Sequence, residues 1–185
     1  ERLEPEGLLT VFTGLTSAMT AGGDPAELAR LAEELRSGLL VAGQHPGFDG
    51  EAWGRELARY ATYDISTAEL DALRDTYGHA STGNAAVLDY LLRGGDYGED
   101  FMRGVVAQLD EVERADPAAA AAWAQRDAIG SPLNRLGDTV PGYLPDPMAT
   151  AMGRLSEHPY AALRFFTDAD DGAARAAYYL GERDW

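Results

Sequence analysis

The chain has 185 residues, contains no cysteine or lysine, and carries a formal net charge of −16, because 31 acidic residues outnumber 15 arginines. A chain of this length buries about 70% of its unfolded surface without help from a metal or disulfide, and the lack of cysteine excludes disulfides, zinc–thiolate sites and a cysteine nucleophile. The negative charge argues against nucleic acid as a partner, because phosphates would be repelled. No apolar run approaches the roughly 18 residues of a membrane span, so we expect no membrane insertion.

Aspartate and proline mark the helix starts in the first part of the chain. A first helix is predicted over residues 8–19. The sequence DPAE at 24–27 places a capping carboxylate before a proline, whose missing N–H costs nothing at the first helical position, and predicts a second helix that ends near Gly43. Asp49 is the predicted cap of a third helix over residues 52–61.

Two capping boxes, in which an N-cap acceptor is followed three residues later by glutamate, are predicted in the middle of the chain. They are STAE at 66–69 and DYGE at 96–99, and a helix is predicted between them over residues 85–92. The helix after the second box has apolar residues on one stripe, at spacings of three and four. These residues are Phe101, Val105, Val106, Leu109 and Val112.

Aspartate–proline starts recur at 116–117 and 146–147, separated by an irregular proline- and glycine-containing stretch over 129–145. At His158-Pro159 the sequence predicts a corner, because the residue before proline is pushed out of the helical region. The helix that starts at Pro147 should therefore end by about Ser156, and a new helix should start at Pro159.

Apolar residues recur at helical spacing on both arms of this corner. We expect five of them to be mostly buried, namely Met148, Met152, Leu155, Leu163 and Phe166. A last helix is predicted over residues 173–180.

No segment alternates apolar and polar residues over the length of a strand, so the predicted fold class is all-α. We expect an irregular multi-helix bundle of about nine or ten helices. Residues 1–128 would form the main bundle, 129–145 a loop, and 146–185 a helical C-terminal piece packed on the bundle within one compact domain. The chain begins without methionine and ends on Trp185, and we expect it to be part of a longer protein.

No catalytic or metal-binding motif stands out. The three histidines, His45, His79 and His158, lie at predicted loops or helix ends and never at an i, i+4 spacing, so we expect solvated or capping roles. The sequence DADDG at 168–172 does not fit a calcium loop, because its register leaves one carboxylate at the ligand positions. We interpret it as the acidic start of the last helix.

Neighbouring carboxylates are frequent on the predicted helices. Glu99 with Asp100, and Glu111 with Glu113, are expected on exposed helix faces as solvating charge. The sequence thus predicts no catalytic residue, no cofactor-binding or metal-binding residue, and no cofactor.

Two segments carry a family resemblance: LDYLLRGGDYGEDFMRGVVAQLDEVER at 88–114 and DPMATAMGRLSEHPYAALRFFTDADDGAARAAYYLGERDW at 146–185. Together they resemble an uncharacterised all-helical family of actinobacterial proteins associated with WXG-type helical hairpins and type VII-like export. The resemblance covers about 48–185. The WXG turn itself is absent, since Trp53 precedes Gly54 and Trp123 precedes Ala124. The resemblance therefore implies that the chain follows such a hairpin, and it implies no mechanism.

Two functional hypotheses follow. The first is a non-enzymatic helical module of a larger protein, which mediates protein–protein interaction or type VII-like export and binds a protein partner or other segments of its own polypeptide. Its expected interaction surface includes Tyr143, Tyr160, Tyr178 and Trp185, since large amphipathic rings are suited to such a surface. The alternative is a helical enzyme or toxin-like domain that uses dispersed acidic residues. Both a cytoplasmic location and type VII-like export fit the sequence.

Overall fold

The computed structural model describes residues 4–62, 83–115, 146–183 and 185. These residues form eight α-helices and a terminal π-helical turn, Tyr178–Glu182. The helices are α1 (Pro5–Thr20), α2 (Pro25–Gly43), α3 (Gly50–Ala61), α4 (Gly83–Arg93), α5 (Glu99–Ala115), α6 (Pro147–Leu155), α7 (Pro159–Thr167) and α8 (Gly172–Ala177).

The described ranges contain no strand, which confirms the all-α prediction. Eight α-helices in these ranges do not match the predicted count of nine or ten. The helices predicted after STAE and after Asp116-Pro117 lie outside the described residues, as does the predicted loop over 129–145.

Three helix starts are capped as predicted. The carboxylates of Asp24, Asp49 and Asp146 accept hydrogen bonds from backbone N–H groups two or three residues later, at 3.0, 3.1 and 2.9 Å respectively. Each bond satisfies a donor that the first turn of a helix leaves without an intrahelical partner. The starts of α2, α3 and α6 are thus determined by local sequence.

The start of α5 differs from the predicted capping box. The helix begins at Glu99, after Gly98 with φ +81°, a backbone conformation that favours glycine because it has no Cβ. Asp96 lies outside the helix, and its carboxylate accepts the N–H of Gly98 at 2.9 Å. The predicted register, with Asp96 as the N-cap, is therefore wrong, because the local aspartate turn takes precedence over the cap.

The predicted corner at His158-Pro159 is confirmed, since α6 ends at Leu155 and α7 starts at Pro159. His158 lies outside the helical region of backbone conformation, with φ −117° and ψ 76°. Its Nε2 lies 3.2 Å from Oδ1 of Asp96. The histidine therefore joins this corner to the turn between α4 and α5.

Helices α3 and α5 cross in backbone contact. A Cβ atom at Gly54 would lie 2.2 Å from the carbonyl oxygen of Phe101, and one at Gly104 would lie 2.1 Å from that of Glu51. No side chain fits either gap, so each helix presents a glycine to the backbone of the other. Helix α5 also packs against α6 and α7, which places it at the centre of the described fold.

One apolar core joins these helices, and its buried members come from α1 to α7 and from the π-helical turn. Four residues of the predicted α5 stripe are buried in it, namely Phe101, Val105, Val106 and Leu109. Val112 is partly buried against it. The first five helices, α6, α7 and the π-helical turn therefore share a single core.

The prediction for the two arms of the corner is correct in part. Met148 and Leu155 are buried, whereas Met152 and Phe166 are half-buried. Leu163 is 60% exposed, so its predicted burial is wrong. Helix α7 buries Ala161 and Phe165 instead, which lie four residues apart on one face, and this orientation turns Leu163 outward.

Candidate functional site

Two carboxylates of α5, those of Asp110 and Glu113, are buried under the C-terminal helices, at 1% and 0% exposure. The prediction that Glu111 and Glu113 are exposed is correct for Glu111 and wrong for Glu113. A signal for burial was present, because Glu113 follows Leu109 by four residues and so continues the apolar stripe.

Asp110 binds two arginines. Its Oδ1 accepts from Nε of Arg114 at 2.7 Å, and its Oδ2 accepts from Nη2 of Arg114 at 3.0 Å and from Nε of Arg175 at 2.8 Å. The guanidinium of Arg175 also lies 4.7 Å from the ring centroid of Phe165. Because Arg175 belongs to α8, these contacts attach α8 to α5.

Glu113 and Asp146 share one arginine, Arg183, whose side chain is 4% exposed. Arg183 donates to both oxygens of Glu113 at 2.8 and 2.9 Å, and to both oxygens of Asp146 at 2.9 and 3.0 Å. Burial raises the pKa of Glu113, while the hydrogen bonds and charge of Arg183 oppose that shift. Burial alone would lower the pKa of Arg183, but the two carboxylates raise it.

The π-helical turn directs the end of the chain into this cluster. The N–H of Arg183 donates to the carbonyl of Tyr178 at 2.8 Å, which closes the wide turn. The ring of Tyr179 is buried, with its centroid 5.9 Å from that of Phe165 and 6.1 Å from that of Trp185. Burial, together with the charges of nearby carboxylates, raises the pKa of Tyr179.

We call Asp110, Glu113, Asp146, Arg175 and Arg183 the C-terminal clasp. It contains the residue types of an acid–base site, but its two fully buried carboxylates are held by arginines. General acid–base catalysis needs a carboxyl group that can reach a substrate. Because the carboxylates of Asp110 and Glu113 are buried and paired, this geometry is suited to holding the C-terminal helices against α5. Within the described ranges, no group of three or more potential ligand side chains is arranged to hold a metal ion.

A third buried carboxylate lies on α4. Asp89 pairs with Arg93 at 2.8 Å and accepts a hydrogen bond from the hydroxyl of Thr150 on α6 at 2.5 Å. Arg154 of α6 also donates to the carbonyls of Leu92 and Arg93, at 3.0 and 2.6 Å, and so caps the end of α4. These polar contacts attach α6 to α4.

The residues of the predicted interaction surface lie in different places. Tyr160, on α7, is 78% exposed, and Trp185 is 61% exposed. Tyr178 is half-buried. The rings of Tyr178 and Trp185 both pack against Tyr179, with centroids 4.9 and 6.1 Å away. Tyr143 lies outside the described residues.

The outer side of α7 carries two exposed apolar side chains. Tyr160 and Leu163 are three residues apart and so share one helix face, beside the exposed Arg164. We call these three residues the outer α7 face. Sequence reasoning identified Tyr160 but missed Leu163, because it assigned Leu163 to the core.

An apolar cavity of about 650 Å³ lies between α1, α2 and the start of α3, and we call it the α1–α2 cavity. The rings of Phe48 and Trp53, 5.6 Å apart, form part of its wall. The leucine pattern of α2 was visible in the sequence, but the cavity was not predicted. Its lining residues are Leu8, Val11, Leu15, Leu31, Glu34, Leu35, Gly38, Leu39, Ala42, Phe48 and Trp53.

The histidines occupy turns. The Nδ1 of His45 accepts the N–H of Gly47 at 3.1 Å, and His158 contacts Asp96 at the corner described above. His79 lies outside the described residues. The predicted capping role thus fits His45 as a turn acceptor, whereas His158 makes no side-chain cap.

The acidic segment before α8 forms the helix start that was predicted. The carboxylate of Asp168 accepts the N–H groups of Asp170 and Asp171 at 3.0 and 3.4 Å, and these bonds lower the pKa of Asp168. Asp171 occupies the N-cap position of α8 and pairs with Arg114 of α5 at 3.3 Å.

Across the described ranges, every helix is too short or too polar to cross a lipid bilayer. Comparisons of the chain with protein-family models, with curated proteins and with solved structures find no match.

Proposed function

We propose that this chain is a helical module that binds another protein, or another segment of its own polypeptide, through the outer α7 face. The observation that carries the proposal is the joint exposure of Tyr160 and Leu163, at 78% and 60%, on one turn of a well-packed helix. Large apolar side chains that adjoin one another on a charged surface are typical of an interaction site. Tyr178 and Trp185 pack against Tyr179 instead and do not belong to the outer α7 face.

The wider context of the proposal is a larger actinobacterial protein associated with type VII-like export. Its support is the sequence resemblance of 88–114 and 146–185 to the helical family named above. These are also the segments that the clasp joins, since Asp110 and Glu113 belong to the first and Arg175 and Arg183 to the second.

A helical enzyme that uses dispersed acidic residues has weaker support. Its acidic residues would have to converge in an accessible cleft with perturbed pKa values. Among the described residues, the buried carboxylates of Asp89, Asp110 and Glu113 are each paired with an arginine. Saturable turnover of a substrate by the purified chain would favour the enzyme over the binding module.

Site-specific photo-cross-linking in the full-length gene product tests the proposal. We would replace Tyr160 with p-benzoylphenylalanine and, as a matched exposed position on α3, replace Arg59 in a second sample. The proposal requires one defined cross-linked species from position 160 and none from position 59, with a lower yield when Leu163→Ser is added. Equal yields from the two positions, or no cross-link from position 160, would contradict it.

A further inference from the structure

The α1–α2 cavity has the dimensions and lining of a small-molecule site. Its volume of about 650 Å³ lies within the range of about 300–1,000 Å³ that is usual for ligand pockets. Among the lining residues that the structure describes, all but Glu34 are apolar or glycine. Such a lining offers a ligand apolar contact and almost no hydrogen bonding.

The shape of the cavity is set by two helices. The contribution of α2 extends from Leu31 to Ala42, which is about 16 Å at about 1.5 Å per residue. An extended alkyl chain advances about 1.25 Å per carbon–carbon bond, so a chain of about 12 to 14 carbon atoms has a comparable length. The cavity therefore suits an elongated aliphatic group better than a compact polar one.

The charges around the cavity determine which head group it accepts. Glu34 is the one charged residue in the described part of the lining, and it already forms an ion pair with Arg30. A cationic head group would have to compete with Arg30, and an anionic head group would be repelled by Glu34 and by the net charge of −16. An uncharged head group at the open side of the cavity meets neither obstacle.

We propose that the α1–α2 cavity binds the alkyl chain of an uncharged, single-chain amphiphile. The chain lies along α2 between the leucines of α1 and α2, and the head group stays in water near Glu34. This site shares no residue with the outer α7 face, so it is independent of the protein-binding function proposed above.

Gly38 provides a sharp test, because it lines the cavity and no atom beyond the adjoining backbone of its own helix lies within 4 Å of the position where its Cβ would be. A leucine at this position would fill part of the cavity without displacing the protein. Gly153, on α6, has equally open surroundings but does not line the cavity. Gly153→Leu is therefore a matched control for Gly38→Leu.

The experiment measures binding of decyl and dodecyl maltoside by titration calorimetry, below the concentrations at which they form micelles. Each buried methylene contributes about fourfold in affinity, so the dodecyl compound should bind about 15-fold more tightly than the decyl compound. We expect Gly38→Leu to weaken binding of dodecyl maltoside at least tenfold, and Gly153→Leu to leave it unchanged. Dodecanoate should bind more weakly than dodecyl maltoside and should gain affinity in Glu34→Gln.

Three results would overturn the proposal. They are equal affinities for the decyl and dodecyl compounds, unchanged binding by Gly38→Leu, and binding of dodecanoate as tight as that of dodecyl maltoside. Thermal unfolding of both leucine variants provides the folding control. Each should melt no lower than the parent chain, because leucine is a better helix former than glycine.

Discussion

Removing Arg183 is expected to destabilise the protein strongly. Arg183→Leu leaves the carboxylate of Glu113 buried, with its guanidinium partner gone, because the Glu113 side chain is 0% exposed. Breaking a buried ion pair from one side costs about 3 to 5 kcal/mol of unfolding free energy. For a chain of this size that corresponds to a fall in melting temperature of about 6 to 20 °C.

A double variant separates two contributions to the lost stability: the loss of the ion pair itself, and the cost of leaving the Glu113 carboxylate buried without a partner. Adding Glu113→Leu to Arg183→Leu removes the buried carboxylate, and apolar replacements of a buried pair are often neutral or stabilising. We therefore expect the double variant to recover most of the lost stability, since Asp146 remains partly solvated. Arg59→Leu, which breaks an exposed pair with Glu56, serves as the control and should leave the free energy of unfolding almost unchanged.

The pH dependence supplies an independent check. Burial raises the pKa of Glu113, and loss of Arg183 removes the groups that oppose that rise. A carboxyl whose pKa is higher in the folded than in the unfolded state favours folding when protonated, so this contribution is lost as pH rises through the folded pKa. The stability deficit of Arg183→Leu should therefore be smallest in acid and should grow toward neutral pH.

Urea titrations of the parent and the variants across this pH range measure the deficit. A stability deficit below about 1 kcal/mol at neutral pH would refute the reasoning, because a buried carboxylate without a partner should cost more than that. A deficit that does not change with pH, or one that the Glu113→Leu double variant keeps in full, would also refute the reasoning.

Gly54→Ala should lower the free energy of unfolding by about 1 to 3 kcal/mol or more, because its methyl group would meet backbone. Gly14→Ala, with open space at its Cβ, should instead raise it by up to about 1 kcal/mol. Phe165→Ala should lower the free energy of unfolding by about 3 to 5 kcal/mol, and Phe166→Ala should lower it less. Equal losses of stability in denaturant titrations would contradict the burial of Phe165. Asp49→Ala should lower the free energy of unfolding by about 1 kcal/mol, and Asp49→Asn should lower it much less, because asparagine can also cap a helix. Thermal melts followed by circular dichroism would check both.

Local sequence was sufficient for most helix boundaries. The starts capped by Asp24, Asp49 and Asp146 depend on hydrogen bonds within three residues of the cap. The corner at His158-Pro159 depends on the steric effect of proline on the residue before it. These signals do not depend on what packs nearby, so they could be recognised in the sequence. At Asp96 two local signals competed, and the aspartate turn to Gly98 replaced the predicted cap.

The burial of charged residues was partly encoded in the sequence. Glu113 continues the apolar stripe of α5 by position, but a glutamate there is usually solvated unless a cation lies within reach. That cation, Arg183, is 70 residues further along the chain and reaches Glu113 through the π-helical turn. The pair therefore exists only after the C-terminal helices pack on α5.

By itself, the sequence determined the all-helical class, most of the helix starts and the corner between α6 and α7, because these follow from hydrogen bonds and steric limits among neighbouring residues. Only the tertiary structure decided that Phe165 rather than Leu163 is buried. Helical periodicity groups the residues of α7 into faces, but it does not show which face packs against the other helices. It also decided the backbone contact between Gly54 and α5 and the volume enclosed by α1 and α2. These features depend on distances between segments that are remote in the chain. Such distances are determined by how the helices pack and not by local sequence.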